Sequence, residues 1–164
     1  QIGLILSGYG SNQPHQVKYV QALLNNLDQI PAKITIRTHP GQYIDNISPA
    51  KLNLGQTIEE FIASSDIIIS QTSTAAIIVA ISNTPLIYFP VFHAGINQGV
   101  MWANKSFSPV TSATQVTKQI KQLLGNIKYR QQYLKTQHHE ALGYTGPINK
   151  NIGKNLAKKI IRLI

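Results

Sequence analysis

With 164 residues, 43% of them hydrophobic, the chain has enough apolar material for one domain with a sizeable core, which argues against disorder. The absence of cysteine excludes disulfides and thiolate metal sites and is compatible with a reducing cytoplasm. No apolar stretch is long enough to cross a bilayer, the N-terminus lacks a signal-peptide pattern, and the net charge of +9 is concentrated late in the chain. Residues 1–104 carry four Lys or Arg against five Asp or Glu, whereas residues 105–164 carry eleven against Glu140 alone. Such asymmetry favours an anionic partner such as a membrane surface, an acidic neighbouring domain or nucleic acid. A well-solvated basic face explains it equally well.

The chain opens on Gln1 and runs directly into a strand-like stretch, residues 2–6, which points to a domain cut from a longer protein. A flexible turn, Ser7-Gly8-Tyr9-Gly10-Ser11-Asn12, precedes a helix that should begin near Pro14, with Val17, Val20, Leu23, Leu24 and Leu27 spaced along one face. Residues 32–38 alternate as a strand, with Ile34 and Ile36 on one side and Lys33, Thr35 and Arg37 on the other. His39-Pro40-Gly41 is a turn, and an irregular stretch with Pro49 and Gly55 follows. Thr57-Ile58-Glu59-Glu60 matches a capping box, so a short helix should run through Phe61 and Ile62 to Ser64.

Asp66 leads into Ile67, Ile68 and Ile69, a run suited to a strand buried on both faces of a parallel sheet. Ser70, Gln71, Thr72, Ser73 and Thr74 follow, then an apolar helix, then Pro85 and a second apolar run, residues 86–89. Residues 91–106 read as a loop, 107–110 as a short last strand, and 113–124, 126–141 and 149–163 as helices, with Gly143-Tyr144-Thr145-Gly146-Pro147 separating the last two. Strands alternating with helices predict a Rossmann-like α/β domain, a mostly parallel sheet with helices on both faces and a helical C-terminal segment.

Three segments carry chemistry. Gly8 and Gly10 follow the first strand, where glycines let backbone N–H groups approach a phosphate; the plain alternative is an ordinary turn, and both the third glycine of the dinucleotide fingerprint and the lysine of a triphosphate loop are missing. His39 sits at the end of a buried strand, held by Pro40, where an imidazole can donate a hydrogen bond to a phosphate oxygen or to a backbone carbonyl. Arg37 beside it can pair with a carboxylate. Gln71, Thr72, Ser73 and Thr74 lie at a strand-to-helix turn that favours an anion, although Ser73 or Thr74 can equally be just the helix N-cap.

The remaining signals are weaker. His93 lies in the loop 91–106, which is long enough to be functional. His138 and His139 are adjacent and cannot share one helical face as metal ligands do, so no metal is expected. Residues 149–163 place Lys150, Lys154, Lys158 and Arg162 on one face and Ile152, Leu156, Ile160 and Leu163 on another, a pattern that suits an anionic membrane or packing on a core.

The combination of RTHPG (residues 37–41), IEEFIASSDIIISQTST (58–74) and NTPLIYFP (83–90) resembles the C-terminal half of GT-B glycosyltransferases. The closest likeness is to bacterial surface-polysaccharide transferases, including polysialyltransferase-like and CDP-glycerol glycerophosphotransferase-like proteins, over most of residues 1–125. The resemblance implies that His39, Ser73 and Thr74 contact the donor's phosphates, that Gly8 and Gly10 line the same cleft, and that His39 is the catalytic group. Many relatives carry an acid in the helix after the Ser/Thr cluster; here that helix is Ala75-Ala76-Ile77-Ile78-Val79-Ala80, which leaves the donor's nucleoside and sugar open.

On this reading residues 1–164 form a single nucleotide-sugar-binding domain, part of a two-domain bacterial enzyme whose N-terminal domain carries the acceptor site, so that the fragment alone binds donor with little turnover. The substrate is a nucleotide-activated sugar passed to a surface polysaccharide or glycolipid, with no cofactor and no nucleic acid. The expected location is the cytoplasm, with the basic C-terminal third meeting the inner face of the membrane. The alternatives are a sugar-nucleotide 2-epimerase-like domain, disfavoured by the scarcity of acids around Gln71, and a non-catalytic binding module.

Overall fold

A computed structural model of the chain describes residues 1–6, 14–38, 51–53, 55–71, 75–89 and 110–145. Four short strands, β1 (Ile2–Ile5), β2 (Ile34–Arg37), β3 (Ile67–Ser70) and β4 (Leu86–Tyr88), form one sheet in the order β2-β1-β3-β4. All three pairings are parallel, with Ile2 opposite both Ile34 and Ile67. The helices are α1 (Pro14–Leu27), α2 (Ile58–Ala63), α3 (Ala75–Ala80), α4 (Ala113–Gly125) and α5 (Ile127–Thr145). The domain is therefore an α/β fold with a Rossmann-like, all-parallel sheet flanked by helices.

The strands alternate between two cores, as a period of two requires. Ile2, Leu4, Ile67, Ile69, Ile87 and Phe89 join Val20, Leu23, Leu24 and Leu27 of α1 and Val116, Ile120 and Leu123 of α4. Ile5, Ile68, Leu86 and Tyr88 instead meet Phe61 and Ile62 of α2, Val79 of α3 and Ala141 of α5. Ile67, Ile68 and Ile69 are each 0% exposed, and burial of such a side chain contributes ~1.5–3 kcal/mol. The two cores also follow from chain direction. The chain steps one way from β1 to β2 and the other way from β3 to β4, and right-handed crossovers then put α1 and α3 on opposite faces.

Close packing of α2 depends on Gly3. A methyl there would lie 2.6 Å from Ile68 Cδ1, 2.8 Å from Ser65 Oγ and 2.9 Å from Phe61 Cε1. The capping box of α2 forms as its sequence predicts: the Glu60 amide donates to Thr57 Oγ1 (3.2 Å) and the Thr57 amide to Glu60 Oε2 (2.8 Å).

Both outer strands have part of their edge covered. Beside β2, Leu52 forms a parallel bridge with Ile36, and the Asn53 amide donates to Ile36 O at 2.8 Å. Beside β4, side chains of α5 take the outward-facing groups of Leu86. Gln137 Oε1 accepts from the Leu86 amide (2.7 Å) and the Tyr133 hydroxyl donates to Leu86 O (2.6 Å). Two residues on, the Val110 amide donates to Tyr88 O at 2.9 Å. Such cover blunts the tendency of an edge to recruit another strand.

Several elements differ from their sequence-based expectation. β2 is shorter than residues 32–38, and Thr35, assigned to the more polar side, is buried, because parallel sheets are covered on both faces. α5 runs on to Thr145, through the expected break at Gly143. Val110 is not in a strand despite its bond to Tyr88, while residues 107–109, the loop 91–106 and the helix expected over 149–163 lie outside the described residues. Among the described residues no helix is long and apolar enough to cross a membrane.

Candidate functional site

Strand order fixes where an open parallel sheet offers a binding crevice. Between β1 and β3 the chain's direction of travel reverses, and open α/β sheets bind ligands outside the carboxyl ends of the strands at such a switch point. The last ladder contacts there are well defined. The Gln71 amide donates to Ile5 O at 3.1 Å, the Leu6 amide donates to Arg37 O at 3.0 Å, and the Phe89 amide donates to Ser70 O at 2.9 Å. Leu6, Thr38 and Gln71 thus end three neighbouring strands at one edge of the sheet.

The chain departs from these three ends into residues 7–13, 39–50 and 72–74. These hold six of the residues singled out by sequence, Gly8, Gly10, His39, Thr72, Ser73 and Thr74, all outside the described residues. Gln71, the seventh, is 4% exposed at the carboxyl end of β3. The preceding Ser70 is also buried, and its hydroxyl donates to Gln71 O at 2.9 Å. What the fold brings together is the set of strand ends that carry the three candidate segments.

Among the described residues Arg37 pairs with no carboxylate. Its guanidinium donates to the backbone carbonyl of Gln56, which Asn53 holds in turn: Asn53 Nδ2 donates to Gln56 Oε1 at 2.6 Å, and the Gln56 amide donates to Asn53 Oδ1 at 3.2 Å. Its side chain therefore braces the segment before α2 from the last residue of β2, one position before Thr38.

α5 instead holds the amino end of β4, at the edge of the sheet away from these strand ends. Gln137, 1% exposed, accepts from the Leu86 amide and donates through Nε2 to Thr84 O (3.1 Å), Val79 O (3.3 Å) and Ala80 O (3.3 Å). One amide thereby joins the end of α3, the following turn and the start of β4. His138 Nε2 lies 2.6 Å from Ser82 O in the same turn, so that nitrogen carries the proton, whereas His139 is exposed. The adjacent histidines serve different environments, and among the described residues no group of three His, Asp or Glu could hold a metal. Burial, and secondarily the neighbouring Tyr129, pushes the Tyr133 phenol far above the usual tyrosine range.

Sequence reasoning missed Gln137. A glutamine on a mostly polar helix gives no periodic signal, and its partners are backbone groups from elements 51 to 58 residues away. A concavity of about 680 Å³ lies between α1 and α4 and is lined by Asn26, Gln29, Thr117, Lys118, Lys121 and Asn126. It is nearer the amino edge of the sheet, since Asn26 and Gln29 stand at the end of α1 before β2 begins.

Neither a protein-family model nor a curated protein matches the sequence.

Proposed function

We propose that the carboxyl edge of the sheet, at the switch between β1 and β3, binds the phosphate groups of a nucleotide-activated sugar, and that the domain is the donor half of a glycosyltransferase. The observation that carries this reading is the adjacency of the strand ends at Leu6, Thr38 and Gln71. Each leads directly into a segment rich in phosphate-binding residue types, and such edges are where open α/β sheets take ligands.

The chemistry required is modest. Transfer breaks the bond between the sugar's anomeric carbon and the phosphate oxygen, forms one to the acceptor oxygen, and leaves negative charge on the phosphate. Backbone N–H groups around Gly8 and Gly10, the imidazole of His39 and the hydroxyls of Thr72, Ser73 and Thr74 are the groups suited to stabilise it. α3 spans only six residues, so its dipole contributes little and recognition falls to those side chains. A base that takes the acceptor's proton would come from a second domain, as the resemblance to GT-B enzymes implies.

Calorimetric titration with UDP, GDP, CMP and CDP tests the reading. It predicts that at least one nucleotide binds the wild type and that His39→Ala weakens that binding at least about tenfold, the loss of roughly one charge-assisted hydrogen bond. A folded wild type that binds none of the four defeats it.

A further inference from the structure

The corner between α4 and α5 is a separate feature, remote from the switch point. Asn126 fixes it twice: its amide donates to Gln122 O (3.0 Å), ending α4, and its Oδ1 accepts from the Tyr129 amide (2.9 Å), capping α5. On either side of this rigid joint stand Leu124, 49% exposed, and Ile127, 74% exposed. Lys121, one turn before Leu124, and Lys128, beside Ile127, are exposed as well, as is Lys118 a turn farther back along α4. No Asp or Glu occurs between Asp66 and Glu140, so nothing acidic on α4 or the first three turns of α5 offsets these cations. Asp28, next to the α1 residues that face Lys118 and Lys121 across the groove, has its carboxylate engaged by Lys51 at 2.5 Å.

We propose that this corner docks on an anionic lipid bilayer, with Leu124 and Ile127 entering the interfacial layer and Lys118, Lys121 and Lys128 meeting the headgroups. A few aliphatic side chains ringed by lysines combine the two weak signals that together hold a protein on a membrane. Protein interfaces are depleted in lysine and favour exposed aromatic anchors, whereas Tyr129, the aromatic at this corner, is half-buried against the core. Lysine stems can lie along the bilayer surface with their ammonium groups in the headgroup layer. Arg130, one turn into α5, donates to Asp66 O at the amino end of β3 (3.0 Å), so the corner lies toward the amino edge of the sheet. Docking there leaves the carboxyl edge free.

Co-sedimentation of the full chain with phosphatidylcholine vesicles, with and without phosphatidylglycerol, tests this. Binding should require phosphatidylglycerol and fall with added salt. The double variant Leu124→Ser/Ile127→Ser should weaken it by about tenfold, and Lys121→Glu/Lys128→Glu by more than about fivefold per lysine. Ile81→Ser, an exposed apolar control on the other side of the sheet, should leave it unchanged. Because all four corner side chains are exposed, the variants should keep the wild-type circular dichroism. Wild-type sedimentation of the aliphatic double variant overturns the proposal. So does tighter binding to soluble polyglutamate than to the anionic vesicles, which would assign the corner to an acidic protein.

Discussion

The Leu86 amide donates to Gln137 Oε1 across 51 residues of sequence, and this 2.7 Å bond is how a strand at the sheet's edge is satisfied by a helix side chain instead of a neighbouring strand. The same side chain's Nε2 serves three carbonyls at the end of α3 and in the turn after it. Replacing Gln137 by leucine keeps most of the volume but leaves a buried amide and several carbonyls unpaired. The expected cost is about 2–4 kcal/mol in urea denaturation, since each buried unsatisfied group costs ~1–3 kcal/mol. A loss below about 0.5 kcal/mol, the range of ordinary surface changes, would contradict the assignment.

Two glycines should respond oppositely to alanine. Gly3→Ala pushes a methyl into Ile68, Ser65 and Phe61 and should destabilise by about 1–3 kcal/mol, the usual cost of overpacking. Among the described residues nothing lies within 4 Å of a methyl at Gly55, and its φ is outside the left-handed region. Gly55→Ala should therefore be neutral or add up to ~1 kcal/mol by restricting the unfolded chain. Chemical denaturation of the pair against wild type checks the contrast.

Tyr133 gives the fold an alkaline limit. Its phenol is raised in the folded state, so above the unfolded value of about 10 the unfolded chain releases a proton that the folded chain keeps. The stabilising contribution is complete below that pH and declines above it, by at most ~1.4 kcal/mol per pH unit. Stability measured from pH 9 to 11 should fall less steeply in Tyr133→Phe than in wild type. The variant should also be less stable at pH 8, by about 1 kcal/mol for the lost bond to Leu86 O. Parallel profiles would refute the role given to the phenol.

The parts of the fold legible in the sequence are those governed by local rules. Ile67, Ile68 and Ile69 announce a strand covered on both faces, Thr57 and Glu60 announce a helix start, and Pro14 stands at the first position of α1. Long-range satisfaction was not legible. Gln137 and Tyr133 recognise backbone groups of Leu86, and no pattern near either residue encodes that partner. Gly143 reads as a breaker, yet α5 continues through it to Thr145. A glycine inside a helix costs only ~1 kcal/mol, and α5 is anchored just before it by Tyr133, Gln137 and Ala141. At the candidate site, sequence could nominate His39 and Ser73 as phosphate ligands. Only the strand order reveals that the strands leading to them end side by side.

The most direct test of the central proposal is to map binding on the backbone by amide chemical shifts during titration with the nucleotide that binds best. A donor site at the switch point predicts the largest changes at Leu6, Thr38 and Gln71 and in the segments that follow them, with Lys118, Lys121 and Asn126 unaffected. Changes centred instead on the groove between α1 and α4, with the three strand ends silent, would contradict it.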